Sequence, residues 1–197
     1  MSPRTQSQWE EIREKSKEKI LNAAISLFSS LGYFSTSVSK IAKKAGVSKG
    51  LLYNYFESKD DLLTAIVNKT FELLDNAFAT EDEFATPREE LKVTLIKMFD
   101  LIENHKGFLK MLIPLSLQVS DFGHINKIVS NKYDESTKKI SRILSEIGYK
   151  DPEGEARLII ANLDGIMYQY LTIVNDYPFE EIKQKLINKY CDQNNII

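Results

Sequence analysis

The chain has 197 residues, 43% of them apolar and 27% charged, at a net charge of −2, which is the balance of an ordinary folded protein of one or two compact domains. Its one cysteine, Cys191, excludes an internal disulfide and points to a reducing compartment. The polar opening MSPRTQSQWEEIREK excludes a secretion signal, and the most apolar stretch, Leu109 to Leu117, is broken by Lys110 and Pro114 and too short to span a bilayer, so the cytoplasm is the expected location.

The periodicity predicts a first helix from about Ser7 to Leu31, with Ile20, Ala24, Leu27, Phe28 and Leu31 as its core stripe and Gly32 as its stop. Ser37 caps a second helix that carries Ile41, Ala42 and Ala45 on one face. Gly46 supplies the permissive backbone of a tight turn, with Val47 as an apolar plug beneath it. Ser48 caps a brief third helix, Lys49 to Tyr53, which Leu52 and Phe56 anchor to the core. Ser58, with Asp61 three residues on, opens a fourth helix from about Lys59 to Phe78, lined by Leu62, Leu63, Ile66, Leu73, Leu74 and Ala77.

An acidic loop is expected at Thr80 to Glu83. Thr86-Pro87-Arg88-Glu89 then opens a helix that carries Leu91, Leu95, Met98, Phe99 and Ile102 and closes at His105-Lys106-Gly107. Helices follow at 107–119, where Pro114 should kink or break the run, and at 124–147, ending at Gly148. Asp151-Pro152-Glu153 opens an apolar helix from Ala156 to Val174, and Pro178 opens a last one ending near Cys191. The sum is an all-α chain of about nine helices. No flexible linker interrupts it, so an N-terminal domain over 1–60 and a C-terminal helical domain over 61–197 should share the fourth helix.

The segment from Ser37 to Lys59 carries the chemistry. Its two short helices and tight turn form a helix-turn-helix, with Lys49, Gly50, Tyr53, Asn54 and Tyr55 on the exposed side of the second helix. Five lysines (Lys40, Lys43, Lys44, Lys49 and Lys59) against Glu57 alone leave it at +4, five minus one, on a chain of −2. Such a local basic patch suits phosphate, and the helix starts at Ser37 and Ser48 add backbone N–H groups. Double-stranded DNA is the expected partner. A helical turn with a merely solvated face is the plainer alternative.

The residues also resemble one family, the tetracycline-repressor (TetR) family of bacterial transcriptional regulators. The similarity begins at Lys19-Ile20-Leu21-Asn22-Ala23-Ala24, Leu27-Phe28 and Leu31-Gly32-Tyr33. It continues through Thr36-Ser37-Val38, Ile41-Ala42, Ala45-Gly46-Val47-Ser48-Lys49-Gly50, Leu52-Tyr53, Tyr55-Phe56 and Ser58-Lys59-Asp60-Asp61-Leu62-Leu63. The resemblance implies phosphate contacts at Ser37 and Ser39, recognition-helix contacts at Lys49, Gly50, Leu51, Tyr53, Asn54 and Tyr55, and a further phosphate contact at Lys59. Tyr55 stands where family members often carry histidine. Leu51 is apolar where others carry a polar reader, and a thymine methyl suits it.

One short recognition helix reads few bases, whereas two heads one helical turn apart read a palindrome. A homodimer is therefore expected, and the resemblance puts its seam on the last two helices, about 153–175 and 179–192. The wide apolar surface of the first of these nominates Ile159, Leu163, Ile166 and Tyr170. The resemblance also implies a small-molecule effector. Aromatic and methionine side chains nominate Phe99, Ile102, Phe108, Met111, Leu112, Phe122, Tyr133, Met167 and Tyr168 as walls of a hydrophobic chamber, although such residues also serve as plain core.

Asp100, Glu103 and Asp164 lie in or beside apolar stripes, where any of them can greet a cationic effector or simply face solvent. His105 and His124 lack ligand-like partners, so no metal and no cofactor is expected. No nucleophile motif or glycine-rich phosphate loop supports an enzyme. The expected function is a ligand-responsive regulator, a repressor by family default. The alternative is an all-α ligand-binding or interaction protein with a non-functional helix-turn-helix.

Overall fold

A computed structural model describes residues 5–78, 84–118 and 123–192. The expected loop at Thr80 to Glu83 and the chamber residue Phe122 lie outside the described residues. Nine α-helices account for most of the described residues: α1 (Gln6–Leu31), α2 (Val38–Ala45), α3 (Lys49–Tyr53), α4 (Lys59–Phe78), α5 (Pro87–Asn104), α6 (Lys106–Ser116), α7 (Gly123–Ile147), α8 (Pro152–Tyr168) and α9 (Phe179–Cys191). A π-helical turn, Gln169–Ile173, follows α8. No strand occurs among the described residues. The chain folds as two compact units, and their boundary falls inside α4 at 69/70 rather than at 60/61, with the C-terminal part of α6 joining the first.

The first unit is built on α1. Thr5 and Gln8 cap its start reciprocally, the Gln8 backbone N–H donating to Thr5 Oγ1 and the Thr5 N–H to Gln8 Oε1. Burial begins at Ile20, and Ile20, Ala24, Ile25 and Phe28 are fully buried. Leu31 departs from the expected stripe at 48% exposure, because the covered surface runs out one turn before the helix does. Gly32 then turns the chain at φ 83°. In α4 the Asp61 N–H donates to Ser58 Oγ, and Asp61 Oδ2 accepts from the Glu57 N–H, which fixes the entry of that helix. Pro114 does not break α6, which continues to Ser116.

The second unit packs α5, α7, α8 and α9, with α7 against α8 and α5 against both α7 and α9. Thr86 caps α5 by accepting from the Glu89 N–H at 3.2 Å, with Pro87 in the first turn. Asp151 caps α8 by accepting from the Gly154 N–H at 3.0 Å. A Cβ at position 154 would crowd the Asp151 carboxylate, so the cap in this rotamer is fitted to glycine. The helical path reaches Ile173, as the apolar run predicts, but its last turn is widened and the Val174 N–H bonds to the Gln169 carbonyl. The extra residue breaks the 3.6-residue stripe. Leu171 is buried, while Val174, expected on the apolar face, is 38% exposed.

Candidate nucleic-acid interface

Three devices set the geometry of α2 and α3. Ser37 Oγ accepts from the Lys40 N–H and Ser48 Oγ from the Leu51 N–H, which starts each helix on a polar cap. Gly46 lies at φ 69°, in the left-handed region, and its N–H closes α2 onto the Ala42 and Lys43 carbonyls. Ile41, Ala42, Leu52 and Phe56 are buried beneath the pair. With that face fixed, the opposite face is forced outward.

On this outer face Ser37, Ser39, Lys49, Gly50, Tyr53 and Asn54 are exposed, while Leu51, Tyr55 and Lys59 are half-buried. The Lys49 ammonium stands 5.8 Å from the Tyr53 ring centroid, one turn along the same helix. Asn54 caps the C-terminus of α3, so Asn54 and Tyr55 follow its last turn. Gly50 has a helical backbone, and a Cβ there would meet nothing within 4 Å. Its smallness serves nothing inside the chain.

Lys59 is held more tightly than a surface lysine. Its ammonium donates to the carbonyls of Tyr33 (2.9 Å) and Thr36 (3.1 Å) and lies 4.2 Å from the Tyr33 ring centroid. Two of its three N–H groups are thus engaged by backbone, leaving one for a phosphate. The adjacent Asp60 accepts from the Tyr33 hydroxyl, and burial together with that carboxylate raises the tyrosine pKa. Residue-by-residue reading missed Arg13, whose guanidinium sits 5.8 Å from the Tyr55 ring. The signal lay in the α1 stripe, where Arg13 falls seven residues before Ile20.

The expected dimer residues are mostly turned toward their own unit. Ile159, Leu163 and Ile166 are buried inside their own unit, and Tyr170 stacks on Phe179 with centroids 4.2 Å apart while its hydroxyl donates to Glu103. Ile159 and Leu163 thus serve that core, while Ile166 also borders a groove beside α9. The outward stripe of α8 carries Leu158, Ala161, Asn162 and the half-buried Gly165, and Gln169 continues it in the π turn. A groove between this stripe and α9 has Asn162, Gly165 and the expected dimer residue Ile166 on one side and Ile182, Lys185 and Leu186 on the other.

The expected chamber residues are divided between the two units. Phe99 and Ile102 are core, Phe99 packing edge-on against Phe179. Phe108 is half-buried in the second unit, whereas Met111 and Leu112 belong to the first. Tyr133, Met167 and Tyr168 do fall in one neighbourhood: the Tyr133 hydroxyl on α7 donates to Asp164 on α8 at 2.9 Å, and Met167 and Tyr168 lie one helical turn beyond Asp164. Among the described residues no cluster of three His, Cys, Asp or Glu can hold a metal, and no helix is long and apolar enough to cross a membrane. Burial pushes the Cys191 thiol up to about 11, which leaves little thiolate near neutrality.

A capped helix, a left-handed glycine turn and a short cationic second helix over a common core define a helix-turn-helix protein. Residues 20–66 match the family model for bacterial regulatory proteins, tetR family. The match runs from Ile20 in α1 through the helix-turn-helix to Ile66 in α4.

The chain is 40% identical over 102 residues to the HTH-type transcriptional regulator YuxN of Bacillus subtilis (strain 168), spanning 49% of this chain and 34% of that one. It is 32% identical over 111 residues to the fatty acid metabolism regulator protein of the same organism, spanning 56% of this chain and 57% of that one. The chain therefore spans less than two thirds of either relative. Its fold matches the fatty acid degradation regulator FadR of Bacillus halodurans at a TM-score of 0.71, with 23% identity, 90% of this chain and 95% of that one covered.

Proposed function

We propose that the chain is a transcriptional regulator that binds a palindromic operator as a homodimer, represses there, and is released by a hydrophobic small-molecule effector. The observation that carries this reading is the outer face of α2 and α3, where Ser37, Ser39, Lys49, Gly50, Tyr53 and Asn54 are free of the core that Leu52 and Phe56 anchor. Lysine ammonium and capped helix starts suit phosphate, while Tyr53 and Asn54 carry donors for base edges. Leu51 and Tyr55 flank this surface, and Lys59 contributes its remaining N–H.

The dimer seam we assign is the outward stripe of α8 with α9. Gly165 supports this, since a Cβ there would meet nothing within 4 Å in its own chain. A glycine at mid-helix costs about 1 kcal/mol relative to alanine, a cost that close approach of a second copy explains.

The test is duplex binding by fluorescence anisotropy, with DNA from the chain's own upstream region, across a salt series. A working head loses affinity steeply as salt rises, because bound phosphates release their counterions. Lys49→Ala and Tyr53→Phe should each weaken binding by roughly 1–3 kcal/mol and leave dimerisation and thermal stability nearly unchanged. Binding no better than to a neutral control would favour an all-α interaction protein with an idle head.

A further inference from the structure

Asp164 is a carboxylate in an unusual position. It is half-buried on α8 against α7, and the neutral Tyr133 hydroxyl is its hydrogen-bond partner at 2.9 Å. No lysine, arginine or histidine pairs with it among the described residues. The neighbouring cation on α7, Lys132, is engaged with Asp75 and Glu135, both at 3.0 Å. A carboxylate offers about four acceptor sites, so one hydroxyl leaves most of its capacity unused. Burial accordingly raises its pKa, the signature of a charge removed from water without a counter-charge.

A purely structural brace between α7 and α8 does not require a charge. Asparagine would accept the same Tyr133 hydrogen bond without the desolvation cost of an ion. The side chains around Asp164 are apolar and accessible: Ile160 and Met167 are half-buried one turn to either side, and Tyr168 is 44% exposed. The ring of Tyr133 is equally open at 44%, and an aromatic face attracts cations.

From this placement we infer that Asp164 and Tyr133 anchor a binding site for a lipophilic cation, an ammonium carried on a hydrocarbon or aromatic body. The inference deepens the effector reading above and rests on it. Asp164 supplies the counter-charge, Tyr133 a ring face and a hydroxyl that holds the carboxylate in place, and Ile160, Met167 and Tyr168 the apolar bed. A ligand ending in a carboxylate meets like charge here and is disfavoured.

The experiment titrates the full chain with decyltrimethylammonium, decanol and decanoate, each below its micelle-forming concentration, by calorimetry and thermal shift. The cation should bind and raise Tm, and decanoate should do neither. Asp164→Asn should weaken cation binding at least tenfold, in line with losing a charged contact, while its unliganded Tm stays equal or rises. Tyr133→Phe keeps the charge and should retain binding within about threefold, less than the loss of a charged contact. Decanoate binding as well as the cation, or Asp164→Asn losing stability while binding the cation normally, overturns the inference. Duplex binding by the wild type is measured in parallel. Cation binding through Asp164 without duplex binding leaves this site standing and removes the regulator reading, and the opposite pattern does the reverse.

Discussion

At Gly50 folding and binding make opposite demands. Alanine there meets open space and gains about 1 kcal/mol of helix propensity, so Gly50→Ala should leave Tm unchanged or higher. In the proposed complex the added methyl would stand where α3 closes on the groove, so duplex affinity should fall by about tenfold, the scale of one lost close contact. Thermal melts and anisotropy on one preparation check both. Affinity unchanged with Tm raised would mean that α3 does not enter the groove at Gly50. The exposure of this glycine was legible in the sequence from the anchors Leu52 and Phe56. The positions of Lys59 and Arg13 were not, because both partner residues distant in sequence: Tyr33 and Thr36 for one, Tyr55 for the other.

Between elements, backbone sign decides more than side-chain contact. Gly46 sits at φ 69°, where an L-residue is strained by about 1–2 kcal/mol. Gly46→Ala should therefore destabilise the first unit by that amount in a denaturant titration, with duplex binding restored when temperature is lowered. A variant as stable as wild type would show that the turn relaxes at no cost. Helix starts were legible because Ser37, Ser48, Ser58, Thr86 and Asp151 each announce a cap that local chemistry alone enforces. The direction a stripe faces was less so. Apolar spacing marks the buried side of α8 well, yet it cannot say whether that side meets its own unit or another chain, and Ile159 and Leu163 are buried within their own. Past Tyr168 the π turn breaks the period itself, which no propensity signals.

For the whole molecule the decisive quantity is copy number. If the outward stripe of α8 is the seam, Gly165→Leu should leave the single chain folded, since its surroundings are open, and drive it to monomer in light scattering. Operator affinity should then fall at least a hundredfold, because two linked heads gain roughly 10²–10⁴ in avidity over one. A dimer that persists in the Gly165→Leu variant would put the seam elsewhere. The contacts divide α4 at 69/70, inside the helix that both domains were expected to share; the exact point was not legible, because a helix's sequence does not record which neighbours its two halves meet.

The first turn of α4 has a mechanical consequence. Lys59 grips two carbonyls of the loop before α2, and Asp60 holds the Tyr33 hydroxyl from the next position. Three bonds and a ring contact would have to break together for that turn to swing independently of the loop. Within the first unit the joint behaves as a weld. Any displacement of that first turn therefore carries the loop before α2 with it, as one rigid piece.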